Sequence, residues 1–258
     1  MARIPVGLQL YSVRHDLARD VAGTLQAVAN MGYTGVEFFG MPQQSAADLK
    51  TMLDNVDMVC CGWHVPYALL QDDKLAETIA FHKTLDNNKL IIPGLPKEIT
   101  QSRADWLKVA AFVNTLADKL ADHGMVTGYH NHWTEFTPLD GENPWDTFFG
   151  NTKESVVMQL DTGNGAAGGA DVVGILQKYP GRALTVHIKP YSFSAGVESR
   201  EAGFRPVVGE DELPWDAIFN LCETVGGTEW YIVEYESDAY PPLEAVDRCL
   251  QALRGLGK

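Results

Sequence analysis

Nine ionisable side chains stand where short apolar runs come to an end: Glu37, His64, His130, His132, Asp161, His187, Lys189, Glu234 and Glu236. Burying a charge in such a run is costly unless the charge has a partner, so each placement calls for a use. Alternation along an extended chain puts Gln159 with Asp161, His187 with Lys189, and Glu234 with Glu236, each pair on one side. Brought to one point, a carboxylate, an imidazole and a second carboxylate make a divalent-metal site. Mixed oxygen and nitrogen donors suit Mn, Zn, Co or Fe, and no thiolate is placed to select a softer ion. Imidazoles with an ordinary pKa of about 6.5 add groups able to move protons at neutral pH.

Each residue also has a plainer reading. A lone histidine at a strand end is ordinarily a satisfied hydrogen-bonding group, and His15, His82 and His123 are placed in that class. His123 falls in a helix's last turn, where a positive charge suits the dipole. Asp161 opens the turn-like DTGN and reads equally as a loop cap. Glu234 inside IVEYE is harder to explain without a partner. The recurrence of polar ends on the second, third, fifth, sixth, seventh and eighth apolar runs favours a shared site. Trp63, Tyr129, Trp133, Trp145 and Phe193 are candidates for stacking on a sugar ring, although packing explains most of them as well. The acidic GEDEL at 209–213 reads as a solvated loop. No Gly-x-Ser-x-Gly elbow or phosphate-binding glycine loop is present, which leaves serine-hydrolase and P-loop chemistry unsupported.

The elements that carry these residues follow from periodicity. Val6–Tyr11 reads as a strand, and Leu17, Val21, Leu25 and Val28 mark the face of a helix that Gly32 ends. GVEFF from Gly35, MVCCGWH ending at His64, KLIIP at Lys89–Pro93 and MVTGYHNH give the next strands. SVVMQLD, ALTVHIK and WYIVEYE complete eight. Between them lie helical stripes, the clearest being Trp106, Val109, Ala110, Val113, Leu116, Ala117 and Leu120; the last is Leu243, Val246, Leu250 and Leu253. Eight strand–helix units of roughly 32 residues, with apolar strands covered on both faces, predict a single (β/α)8 TIM barrel over residues 1–258. Its active site is expected where the strands finish. The open doubly wound sheet is the rival, weakened by the lack of Gly-x-Gly-x-x-Gly after the first strand.

Composition bounds the partners. The 258 residues include 34 acidic and 20 basic side chains, a net charge of −14, which disfavours nucleic-acid backbones and anionic membrane surfaces. Four cysteines, with Cys60-Cys61 adjacent in an apolar run, read as buried thiols of a reducing compartment. No leader segment and no apolar run of about 18 residues is visible, so a cytoplasmic location is expected.

The ordered series LQLYSVR, GYTGVEFFG, YHNHWTEF, QLDTGN, GRALTVHIK and IVEYE resembles the sugar phosphate isomerase/epimerase family, the xylose-isomerase-like barrels, along nearly the whole chain. The resemblance implies the same barrel and one divalent ion, Mn, Zn, Co or Mg, held by residues ending strands five to eight. Matched by motif, these are Asp161, His187 and Glu234. Many members end the fifth strand with Glu-x-His; here it reads His130-Asn131-His132, so the fifth-strand donor is either His130 or Glu135. The implied substrate is a small sugar or polyol, and a homo-oligomer is compatible with the family.

The implied chemistry is isomerisation or epimerisation by proton abstraction beside a carbonyl. Glu234 or a neighbouring histidine is the base, Lys189 and His64 orient hydroxyls or donate to the oxyanion, and Glu37 is a second acid–base group or a hydroxyl acceptor. A histidine at the fifth strand departs from the two-carboxylate pattern of the epimerase branch. It opens the alternative of a lyase, dehydratase or keto-glycoside eliminase, with His130, His132 or His64 as the distinct acid. The family's DNA-repair branch wants a histidine where this chain has Asn164 and an Asp-x-His absent between His187 and Trp215. Only Arg200 and Arg205 are available to a phosphate, so an unphosphorylated keto-sugar, inosose-like polyol or oxidised glycoside is the expected substrate. A barrel that binds sugar without turnover is the reading from another class.

Overall fold

Each apolar run pairs in parallel with the next, and the last returns to the first, in the computed structural model of residues 3–258. The closed barrel is β1 (Val6–Gln9), β2 (Gly35–Phe39), β3 (Val59–His64), β4 (Lys89–Ile92), β5 (Val126–His130), β6 (Val157–Asp161), β7 (Thr185–Ile188) and β8 (Trp230–Val233). Helices α1 (Arg14–Arg19) and α2 (Val21–Met31) follow β1, α3 (Ala46–Asp54) follows β2, and α4 (Asp72–Thr84) follows β3. Next come α5 (Arg103–Ala121), α6 (Pro144–Phe149), then α7 (Thr162–Ala167) with α8 (Val172–Lys178). After β7 lie α9 (Phe193–Gly196), α10 (Arg200–Gly203) and α11 (Trp215–Leu221), and α12 (Pro242–Gly255) closes the chain. This is a (β/α)8 TIM barrel, as the periodicity predicts.

Local chemistry sets the boundaries. Asp20 divides the expected first helix: its carboxylate accepts from Gly23 N at 2.9 Å and caps α2. Gly32 ends α2 at φ 101°, a conformation open to glycine. β1 stops at Gln9, short of Tyr11, because Leu10–Val13 coil into a 3-10 turn and the Gln9 side chain accepts from Tyr11 N. β8 stops at Val233, which puts Glu234 at the first position of its loop. The stripe predicted on α5 is buried throughout, from Trp106 to Leu120.

Two glycines decide how the strands close. A Cβ on Gly128 would lie 2.1 Å from the Val157 carbonyl oxygen, so only glycine allows β5 to approach β6 there. A Cβ on Gly35 would lie 2.9 Å from the Trp230 indole, which fills the space left at the β8–β1–β2 seam. Burial also sorts the aromatics: Trp63, Tyr129 and Trp145 are core residues, whereas Trp133 and Phe193 stay exposed. The GEDEL segment is not merely solvated, since Asp211 accepts from Trp215 Nε1, Leu213 N and Gly209 N. All four cysteines are free and buried, and burial pushes the Cys60 thiol up to about 12. Among the described residues no helix is long and apolar enough to cross a membrane.

Candidate active site

Parallel pairing brings all eight strand ends to one mouth, where the βα loops gather. There, donor atoms of His130, Asp161, His187 and Glu234 lie within 4.8 Å of one another, and all four residues are buried. His64 joins His130 and His187 in an overlapping group. Each member is placed by backbone: His130 and Asp161 are the last residues of β5 and β6, His187 lies on β7, and Glu234 follows β8. Asn131 locks two of these strands together, giving Nδ2–H to the Asp161 carbonyl and accepting from Asp161 N at 2.8 Å. Asp161 is both cap and cluster member. Its Oδ1 accepts from Asn164 N at 2.6 Å, and its Oδ2 has no hydrogen-bond partner.

His187 is the electrostatic centre. Its Nδ1 donates to Glu234 Oε2 at 2.5 Å and its Nε2 to Glu37 Oε2 at 2.6 Å. Burial works against a charged imidazole, but the two carboxylates outweigh it and raise the pKa to about 10. Lys189 reaches Glu234 at 3.2 Å, Asp161 at 3.9 Å and Glu236 more closely. Burial likewise disfavours its charge, yet those carboxylates hold it above the usual ammonium range. Burial would raise Glu234, and Lys189 with His187 instead bring it well below the carboxylate range. Asp161, with less compensation, is pushed by burial up to about 7. His130 goes the other way: burial, with His187 and His64 nearby, keeps it neutral.

A cation fits these donors. His130 Nδ1 and Asp161 Oδ2 are buried without partners, and His130 Nε2 stands 3.9 Å from that same Oδ2. An unmatched buried acceptor is expensive to maintain, and a divalent ion is what a neutral imidazole and three ionisable neighbours can satisfy. His187 Nδ1 and Glu234 Oε2, now sharing a proton, become two donors once that proton is lost. Its Nε2–H keeps Glu37, the carboxylate–histidine arrangement that orients metal ligands.

The remaining candidates divide. Glu37 is fully buried, with Gln9 on Oε2 at 2.8 Å and Gln159 on Oε1 at 2.8 Å, so it acts on His187 and does not face a sugar hydroxyl. Glu135 lies outside the cluster: its carboxylate takes Tyr129 Oη at 2.9 Å, His132 N at 2.8 Å and Thr134 Oγ1. His132 is exposed at the rim beside His130, ring centroids 5.3 Å apart. His64 has a defined tautomer. Gln159 Nε2 donates to both Glu37 and Thr185, which leaves Gln159 Oε1 to accept His64 Nε2–H at 2.6 Å. Its Nδ1 therefore carries a lone pair, and burial keeps the ring neutral against the pull of Glu37. Gln9, Asn131 and Thr185 escaped the sequence reading; a polar residue interrupting the apolar run VGLQLY was the one available signal. Arg200, read there only as a phosphate candidate, lies 3.5 Å over the Trp133 ring.

Fold and site together describe a barrel with a histidine–carboxylate centre at its mouth, able to hold a metal. The family model for the xylose isomerase-like TIM barrel matches residues 25–256, and the chain belongs to that family. Among curated relatives, it is 27% identical over 246 residues to the inosose dehydratase of Klebsiella pneumoniae, covering 82% of this chain and 81% of that protein. The rhizopine catabolism protein MocC of Rhizobium meliloti is 24% identical over 243 residues, covering 83% and 74%. A crystal structure from Parabacteroides distasonis, described as a sugar phosphate isomerase/epimerase, superposes with a TM-score of 0.81 at 24% identity, covering 98% and 95%. The chain is an enzyme of the isomerase/epimerase or lyase type.

Proposed function

We propose that the chain is a divalent-metal-dependent lyase that removes water from an unphosphorylated polyhydroxy ketone of the inosose kind. One observation carries this reading. The fifth strand presents neutral His130 to the cluster, and no carboxylate of that strand or its loop joins it, Glu135 being engaged elsewhere. Opposite faces of a substrate carbon then meet unlike groups, which suits an elimination with one base and a separate acid. Symmetric epimerisation would call for matched carboxylates. The inosose dehydratase relatives support the same reading.

A divalent cation on His130, Asp161, His187 and Glu234 would act as a Lewis acid on the substrate carbonyl oxygen. The chain does the rest. His64, tautomer set by Gln159, takes the proton from the carbon beside the carbonyl through Nδ1. As the β carbon–oxygen bond breaks, His132 gives the leaving hydroxide a proton, releasing water and an unsaturated ketone. Lys189, kept charged by three carboxylates, donates to oxygen that gains negative charge. Glu37 holds the His187 ring. Burial of His64, Lys189 and Glu37 keeps bulk water from competing at the floor of the site.

Isomerisation or epimerisation on the same scaffold is the second reading, favoured by the low pKa of Glu234, which keeps a carboxylate ionised at the mouth. Incubating Mn- or Co-loaded protein with scyllo-inosose in deuterium oxide separates the two. Ultraviolet absorbance of a conjugated product is expected. Deuterium incorporation with no elimination, or production of a second diastereomer, would replace the lyase by the isomerase reading.

A further inference from the structure

Two cavities lie side by side at the barrel mouth, the first opening over the cluster, and they differ in chemistry. One, about 590 Å³, is walled by Tyr11, Pro66, Tyr67, Pro93 and Leu95 on the loops after β1, β3 and β4 and by Phe39 at the end of β2. Its polar lining, which includes Gln9, His64, His130 and Glu234, belongs to the strand ends at the floor. The other, about 610 Å³, is lined by Lys189, Arg200, Glu201, Arg205 and Asp238 together with Trp133, from loops after β5, β7 and β8. His132 and Glu236 line both, so a ligand centred on the cluster reaches into each.

The apolar walls are held in place. Tyr11 meets Phe39 edge to face with centroids 5.1 Å apart, and the Arg14 guanidinium lies 4.5 Å from the Tyr11 ring. Tyr67 packs on Phe112 at 5.1 Å, and three prolines (Pro66, Pro93 and Pro96) restrict the backbone around it. A ring edged with hydroxyls finds partners in the charged cavity. Walls of this kind favour a group that gives up no hydrogen bonds on entering.

We propose that the apolar cavity is a subsite for an aromatic substituent carried by the polyhydroxy ketone, so that the substrate is an aryl-bearing polyhydroxy ketone, in its simplest form an aryl glycoside with one ring hydroxyl oxidised to a ketone, for which a plain aryl glucoside is a non-reacting analogue. The polyol lies over the cluster and the charged cavity, and the aryl ring lies among Tyr11, Phe39 and Tyr67. This rests on the polyhydroxy-ketone reading above for what the cluster receives.

The test is calorimetric titration of the metal-loaded full chain with phenyl β-D-glucoside and, in parallel, methyl β-D-glucoside. The phenyl compound is expected to bind about tenfold more tightly. Tyr11→Ala and Tyr67→Ala should each shrink that preference to about twofold or less, with near-ultraviolet circular dichroism reporting an intact core. Arg200→Ala, in the other cavity, should weaken both glucosides alike. Equal affinities, binding of neither, or a preference that survives both tyrosine variants would overturn the subsite. Asp161→Ala removes a metal donor but leaves these walls, so the preference is expected to persist in it. A chain that dehydrates an inosose yet treats the glucosides alike keeps the lyase reading and loses the subsite; one with the preference but no lyase activity does the reverse.

Discussion

Glu37 shows how much of this site is decided below the atoms that meet substrate. Its two oxygens receive Gln9, Gln159 and His187, and His64 lies 3.2 Å away. Burial works to raise its pKa, and the facing His64 and His187 reverse that and hold it ionised. One buried negative charge thereby orients His187 directly and His64 through Gln159. Glu37→Gln keeps the shape and removes the charge. Losing a carboxylate behind a ligating histidine typically weakens metal binding 10- to 100-fold, so a loss of about that size is expected for Mn(II) or Zn(II). Titration with a competing chelator measures it. An unchanged affinity would mean that His187 needs no support from behind.

At the scale of elements, α4 is fastened to the barrel wall through a histidine with no part in the chemistry. His82 lies edge-on to Trp63 of β3, centroids 5.1 Å apart, and its Nδ1 accepts from Asn87 Nδ2 at 3.0 Å. Asn87 cannot turn its amide around, because it also pairs with the Lys89 carbonyl and amide. Burial therefore keeps His82 neutral and lowers its pKa to about 4. Between the unfolded value of about 6.5 and that value, the unfolded chain binds the proton and the folded chain does not. Stability accordingly falls on acidification across this window, by about 3 kcal/mol at most. Asp161, with its raised pKa, titrates with the opposite sign, so the informative quantity is the difference between wild type and His82→Leu. Urea unfolding from pH 7 to pH 4 should show a shallower loss in the variant; parallel curves would remove His82 from the account. The same helix shows what was legible beforehand. The buried Leu75 and Ile79, four apart, mark its inner face, but nothing in the sequence tells that His82 faces Trp63 and Asn87. Strands were legible because burial on both faces leaves unbroken apolar runs, and the donors because a charge closing such a run stands out. Gln9, Asn131 and Thr185 were not, since an uncharged polar residue in or just after a strand has no period and finds its partner only on the neighbouring strand once the closed barrel sets the register. The short helices α9 and α10 escaped for a related reason: their capping serines, Ser192 and Ser199, look like any loop serine.

For the whole molecule, the centre is a joint among four strands of a closed sheet. His130, Asp161 and His187 come from β5, β6 and β7 and Glu234 from the residue after β8, strands that also pair through backbone between neighbours. Without a cation, that half of the barrel keeps an unpartnered carboxylate oxygen and an unpartnered imidazole nitrogen in its interior. Such groups reduce stability in proportion to what they lose by leaving water. An ion that binds only the folded chain returns it by mass action, about 2.7 kcal/mol at a free concentration 100 times its Kd. Chelation of the wild type is therefore expected to lower the thermal midpoint, and Mn(II) to restore it. Asp161→Asn should part the two contributions. Its side-chain oxygen still caps α7, while the carboxylate that burial disfavours is gone, so the metal-free variant should be at least as stable as the metal-free wild type at neutral pH. It should gain nothing from Mn(II). Scanning calorimetry of both proteins, with metal and with chelator, measures the four midpoints. A variant less stable than wild type in chelator would show that Asp161 supports the fold through Lys189 and not at its expense.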